Sequence, residues 1–144
     1  MAKVEAQLAA ETASLLLVDD EPAVLKVTQK LLERRGYRVT ACQTAQEALD
    51  WLDREAFDVV LSDVQMPGMD GIGLLRAVRE REAELPVILV TGNPSPEIES
   101  TALEHGAFQY LTKPVSHDLL DEVVSHAADS SRRSRRRLLA PRPV

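Results

Sequence analysis

Four short apolar runs each end in a side chain able to do chemistry. Leu15-Leu16-Leu17-Val18 stops at Asp19-Asp20-Glu21, and Phe57-Asp58-Val59-Val60-Leu61-Ser62 stops at Asp63. Val87-Ile88-Leu89-Val90 stops at Thr91-Gly92, and Ala107-Phe108-Gln109-Tyr110-Leu111-Thr112 stops at Lys113-Pro114. Three carboxylates, a hydroxyl and an ammonium suit phosphoryl transfer, which needs charge neutralisation and positioning more than covalent help. Asp63 supplies a carboxylate oxygen as the attacking group, giving an aspartyl-phosphate. Asp19, Asp20 and Asp63 form a cluster of like charges that is costly without a cation among them. Mg²⁺ is the natural one, being hard, octahedral and content with one or two carboxylates plus waters and phosphate oxygens. The backbone carbonyl of Gln65 is expected to complete its sphere. Lys113 offers a point charge to one phosphate oxygen, and Thr91 a hydroxyl to another. X-Pro bonds have only a small trans preference, so a cis Lys113–Pro114 bond that aims the lysine inward is also expected.

These groups meet only if the chain between them returns each strand to the same edge. Residues 14–18 read as a buried strand, and Pro22 suits the first turn of the helix that follows. Val24, Val27, Leu31 and Leu32 give that helix its apolar face, and Gly36 fits its C-terminal cap. Tyr37–Cys42 reads as a second, less buried strand. Thr44-Ala45-Gln46-Glu47 is a capping box, and Ala45, Ala48, Leu49 and Leu52 form the inner face of the helix it starts. The third strand, 57–62, is apolar throughout apart from Asp58, as a strand covered on both faces should be. A helix from about Ile72 to Glu82 follows, with Asp70 as its N-cap. Ser95 and Pro96 open a fourth helix that Gly106 ends. Ser116 caps a final helix carrying Leu119, Leu120, Val123, Val124 and Ala127. Alternation of strand and helix five times implies parallel strands joined by crossover helices. In such a sheet all strand ends share the edge where ligands bind.

The 144-residue length suits one domain with a sizeable core. No apolar run approaches the ~20 residues that span a bilayer, and the N-terminus lacks a secretory pattern. The single cysteine, Cys42, cannot form an internal disulfide. A cytoplasmic protein is therefore expected. Charge is uneven: six arginines fall within 132–142, leaving eleven basic against twenty-three acidic residues over 1–131. An acidic body of this kind is not expected to bind nucleic acid. The organisation read from these patterns is a lead-in over 1–13, a folded domain over 14–128 and a Ser/Arg-rich tail or linker over 129–144. A second possibility for the arginine run is a continuation of the final helix. His105, His117 and His126 show no metal-ligand spacing and read as surface residues.

The chain resembles the receiver domains of two-component response regulators. The resemblance rests on Leu16-Leu17-Val18-Asp19-Asp20-Glu21-Pro22, on Asp63-Val64-Gln65-Met66-Pro67-Gly68-Met69-Asp70-Gly71, on Val90-Thr91-Gly92 and on Lys113-Pro114. It covers about residues 14–128. It implies an α/β, flavodoxin-like (βα)5 doubly wound parallel sheet of strand order 2-1-3-4-5. It also implies that Asp63 accepts a phosphoryl group from a histidine kinase or histidine phosphotransfer protein, with Mg²⁺ at Asp20 and Asp63 and Asp19 assisting. Thr91 then moves toward the phosphate and Tyr110 rotates inward. This changes the surface of the fourth helix, fifth strand and final helix toward a partner, an output domain or a second copy in a phosphorylation-dependent homodimer. Gln65 and Asn93 stand where the family tunes phosphate lifetime. Two readings compete: a Mg²⁺-dependent aspartyl-phosphate phosphohydrolase and a phosphorylation-independent binding module. Phosphohydrolases of the haloacid-dehalogenase type carry an acid two residues after the nucleophile, where this chain has Gln65, so self-directed chemistry is expected rather than enzymatic turnover. Neither a membrane nor a cofactor other than Mg²⁺ is implied.

Overall fold

The computed structural model describes residues 13–139; the expected lead-in over 1–12 and the end of the expected tail, 140–144, lie outside them. Five strands alternate with five helices: β1 (Ser14–Val18), α1 (Pro22–Arg34), β2 (Arg38–Cys42), α2 (Ala45–Arg54), β3 (Val59–Asp63), α3 (Gly71–Arg81), β4 (Val87–Thr91), α4 (Pro96–Glu104), β5 (Gln109–Thr112) and α5 (His117–Leu139). All neighbouring strands pair in parallel in the order β2-β1-β3-β4-β5. Alternate residues of each strand face opposite sides, and the two sides carry separate cores. Leu16, Val18, Val60 and Leu89 pack with the inner faces of α2 and α3 and with Ala102 of α4. Leu15, Leu17, Val59, Leu61 and Ile88 pack with Leu25 and Leu32 of α1 and with Leu120, Val123, Val124 and Ala127 of α5. Covering both faces explains why the central strands read as unbroken apolar runs.

The helix starts follow the capping chemistry of the sequence. Thr44, Asp70, Ser95 and Ser116 each accept a backbone N–H from three residues on, at 3.1, 2.8, 3.1 and 3.1 Å. Gly36 and Gly106 take positive φ, 98° and 86°, as helix-ending residues that a side chain would strain. Cys42 is buried, and burial together with Glu47 pushes its thiol up to about 12.

Two expectations about apolar faces change. Val24 and Val27 are 37% and 64% exposed, and Leu119 is 43% exposed. α1 instead turns Leu25 and Leu32 into the core, so the row containing Val24 and Val27 falls at the flank of the helix. The Ser/Arg-rich stretch also departs from a tail or linker beginning at residue 129, since α5 continues unbroken through Leu139. Ser131 and Ser134 are buried, continuing the inward face of Val124, Ala127 and Ala128 at helical spacing. Arg135 then reaches the start of β3, where Nη2 donates to the Phe57 carbonyl at 3.2 Å and forms an ion pair with Asp58. Asp58 lies just before β3, is 3% exposed, and accepts the Ser14 N–H through Oδ2 at 2.7 Å. A buried carboxylate needs such partners.

Candidate functional site

The C-terminal ends of β1, β3, β4 and β5 converge on one edge of the sheet. Backbone bonds fix the alignment: Asp19 N–H donates to Cys42 O at 3.1 Å, Val64 N–H to Val90 O at 3.0 Å and Lys113 N–H to Thr91 O at 2.8 Å. Asp19, Asp20 and Asp63 each bring a carboxylate oxygen within 4.8 Å of the other two. Lys113 Nζ lies 2.6 Å from Asp63 Oδ1 and 3.8 Å from Asp19 Oδ2. The Lys113–Pro114 peptide is cis. Asp19 is fixed further by the Glu21 N–H, which donates to its Oδ1 at 2.9 Å.

The loop after β3 closes tightly over the edge. Gly71 N–H returns to Val64 O at 2.8 Å. A Cβ on Gly71 would lie 2.3 Å from Asp63 O and 2.9 Å from Val64 Cα, so this approach requires glycine. The same loop carries Gln65, whose Oε1 accepts the Thr91 hydroxyl at 2.6 Å. Thr91 is fully buried, and its Oγ1 accepts the Asn93 N–H at 3.0 Å. Tyr110, on β5, packs partly against the core, and its buried hydroxyl has no hydrogen-bond partner among the described residues.

The electrostatics follow from three acids and one ammonium in a half-closed space. Burial pushes Asp63 up to about 6; Lys113 opposes that rise and Asp19 adds to it. Burial works to lower Lys113, but Asp63 and Asp19 outweigh it and the net shift is upward. The lysine therefore stays charged while the acids remain in surplus. That surplus, with three oxygen donors in reach of one point, fits a hard divalent cation.

Asp19, Asp20, Asp63 and Lys113 form one cluster at this edge, Gln65 and Thr91 stand beside it, and Tyr110 lies within β5 in register with Leu89. Thr91 is held by Gln65 and Asn93. The amide of Gln65 as a partner of Thr91 had no local sequence signal, because the contact joins the loop after β3 to the end of β4, 26 positions apart.

A family model described as the response regulator receiver domain matches residues 15–125. The chain is 38% identical over 119 residues to the transcriptional regulatory protein GlrR of Escherichia coli strain K12, covering 83% of this chain and 27% of that one. It is 41% identical over 122 residues to the sensor protein GacS of Pseudomonas syringae pv. syringae, covering 81% of this chain and 14% of that one. Among solved structures, the CheY-like receiver domain protein of Methanospirillum hungatei JF-1 superposes with a TM-score of 0.81 at 34% identity, covering 85% of this chain and 98% of that one. The chain belongs to the response regulator receiver family of two-component signalling. Receiver domains are signalling domains that work with histidine kinases or phosphotransfer proteins and hold Mg²⁺ at an acidic pocket. No helix among the described residues is long and apolar enough to cross a membrane. The chain spans only about a quarter or less of these two curated relatives.

Proposed function

We propose that this chain is a phosphorylation-controlled switch with Asp63 as the acceptor. The observation that carries this reading is the cluster itself: three carboxylates within 4.8 Å of one another and Lys113 Nζ 2.6 Å from Asp63, at the C-terminal edge of a receiver-family sheet. Asp63 ionises at about 6, so at neutral pH it is mostly the carboxylate that attacks. An Asp63 oxygen bonds to the phosphorus of a phosphohistidine, the P–N bond breaks, and the imidazole nitrogen leaves to take a proton. Lys113 orients the carboxylate before transfer and neutralises a phosphoryl oxygen after it. Asp20 and Asp63, assisted by Asp19 and the Gln65 carbonyl, would hold Mg²⁺, which supplies further neutralisation of the phosphoryl oxygens.

Gln65 stands where a phosphohydrolase would need an acid, and its amide is engaged with Thr91. This favours chemistry confined to the protein's own Asp63 over turnover of outside substrates. The donor's approach is supported by a groove of about 490 Å³ lined by Val24, Val27, Leu31, Pro114, Leu120 and Asp63. Its two exposed valines offer an apolar contact for a helix carrying the phosphohistidine. The output is a change in the surface of α4, β5 and α5, transmitted through Thr91 and Tyr110 to a protein partner, an output domain or a second copy. The setting is the cytoplasm, where kinase domains supply the phosphoryl group.

Incubation with Mg²⁺ and acetyl phosphate, read by intact mass, tests this reading. The expected result is a gain of one phosphoryl group, absent in Asp63→Asn and in the presence of EDTA. Because some receivers resist small donors, beryllofluoride binding is the companion measurement. No adduct together with no beryllofluoride binding rejects the switch.

A further inference from the structure

The one donor of the Thr91 hydroxyl is committed in this structure. It has one proton, and that proton is directed to Gln65 Oε1 at 2.6 Å. Its oxygen accepts the Asn93 N–H at 3.0 Å. A phosphoryl group on Asp63 has acceptor oxygens only, so Thr91 can bond to one only by withdrawing its proton from Gln65. Gln65 sits on the loop that starts from a bond to β4, Val64 N–H to Val90 O at 3.0 Å, and closes on itself by Gly71 N–H to Val64 O at 2.8 Å. The loop backbone therefore keeps Gln65, an exposed residue, beside Thr91, where its amide oxygen competes for the hydroxyl proton.

We propose that Gln65 is a positioning residue: a latch that keeps the Thr91 hydroxyl proton in the unphosphorylated state and sets how strongly the phosphoryl group must pull to engage the switch. The inference rests on Asp63 being the acceptor. A charged phosphoryl oxygen makes a stronger hydrogen bond than a neutral amide carbonyl, so the exchange runs toward the phosphate once it is present. The latch subtracts from that gain, and a ligand shifts a two-state equilibrium only by its differential affinity. Removing the amide acceptor therefore makes the activated state easier to reach. This effect runs through Thr91, unlike any direct action of residue 65 on a bound phosphate or its attacking water.

The test is beryllofluoride affinity in the presence of Mg²⁺, measured by titration calorimetry on four proteins that each span residues 1–144: the parent chain, Gln65→Met, Thr91→Ala and the double variant. Methionine keeps the unbranched length and removes the acceptor, and the backbone carbonyl of residue 65 stays in place. Gln65→Met is expected to bind beryllofluoride roughly two- to tenfold more tightly than the parent, the range one net hydrogen bond supports. The same substitution in the Thr91→Ala background is expected to leave beryllofluoride affinity unchanged. Equal tightening in both backgrounds overturns the latch, because residue 65 then acts without Thr91. No tightening, or weaker binding, in Gln65→Met overturns it as well. A parent chain that binds no beryllofluoride overturns the acceptor reading first, and the latch falls with it.

Discussion

The contact between Arg135 and Asp58 makes an unequal pair of mutations informative. Asp58 is 3% exposed and relies on the Ser14 N–H at 2.7 Å and on Arg135. Its Oδ1 faces the guanidinium as an ion pair and has no hydrogen-bond partner among the described residues. The Arg135 side chain is 48% exposed, so its charge is still half in water. Removing the arginine strands a buried carboxylate, whereas neutralising the aspartate leaves an arginine that hydrates readily. Breaking a fully buried pair costs about 3–5 kcal/mol, and an exposed pair is worth about 0–1 kcal/mol. Arg135→Met should fall between, at about 1–2 kcal/mol. For a domain of this size that lowers Tm by about 3–8 °C. Asp58→Asn keeps an acceptor for Ser14 and should cost under about 1 kcal/mol. The double variant should be more stable than Arg135→Met alone, since it no longer buries an unpaired charge. Thermal unfolding followed by circular dichroism measures all three. Hydrogen exchange over residues 129–135 should rise in Arg135→Met while exchange in β4 stays slow. Equal costs for the two single variants, or strict additivity in the double, would refute the reasoning and leave α5 held by apolar packing alone.

Three other outcomes follow from the geometry. Tyr110→Phe removes a buried hydroxyl that has no partner among the described residues, so stability by denaturant titration should be unchanged or higher by up to about 1 kcal/mol; a clear loss would mean the hydroxyl is bonded in solution. Gly71→Ala places a Cβ 2.3 Å from Asp63 O and 2.9 Å from Val64 Cα, both backbone atoms that cannot swing aside. It should cost about 1–3 kcal/mol and weaken beryllofluoride binding, and a neutral effect on both would disprove the tight closure. Burial holds the folded pKa of Asp63 at about 6, above its ordinary 3.8. Its contribution therefore favours the fold at pH below the ordinary value and is lost as pH rises through 6, where the ionised cluster becomes able to take a cation. Mg²⁺ should raise Tm more at pH 8 than at pH 5, with EDTA abolishing the difference; a shift that grows as pH falls would contradict the assignment.

The sheet and its chemical edge were legible because they depend on local, repeated signals. Fully buried strands such as Val59–Asp63 open on an apolar run, here Val59-Val60-Leu61, and the helices open on Thr44, Asp70 and Ser95, whose side chains cap as their types predict. Exposure was harder to read. Val24, Val27 and Leu119 are apolar, yet composition cannot say that α1 turns Val24 and Val27 outward beside the groove or that α5 leaves Leu119 exposed. The extension of α5 was obscured by its Ser/Arg composition, which resembles a linker. Its signal lay in spacing: Ala127, Ala128, Ser131 and Ser134 are small residues on one helical face, and they are buried. Asp58, an acid at the start of a buried strand, was the matching clue that a cation had to come from elsewhere in the chain. The Gln65–Thr91 bond has no such trace, since its geometry depends on how the loop after β3 folds over the end of β4.

The distribution of cost in this site bears on how it switches. Its side chains are in conflict: three acids cluster beside one lysine that pairs with only two of them, burial lifts Asp63 to about 6, and the Tyr110 hydroxyl has no partner among the described residues. The backbone beneath them is not, since Asp19, Val64 and Lys113 each donate a regular bond to the neighbouring strand. Relief of the conflict by a cation and a phosphoryl group therefore has no strand bonds to break. In the proposed switch it acts on side chains, where the Thr91 hydroxyl would turn from the Gln65 amide oxygen to the phosphoryl group. Under that proposal, one added charge would rearrange side chains on a regular strand edge, and the Leu89–Tyr110 and Thr91–Thr112 register of β4 and β5 is the route by which it would reach Tyr110.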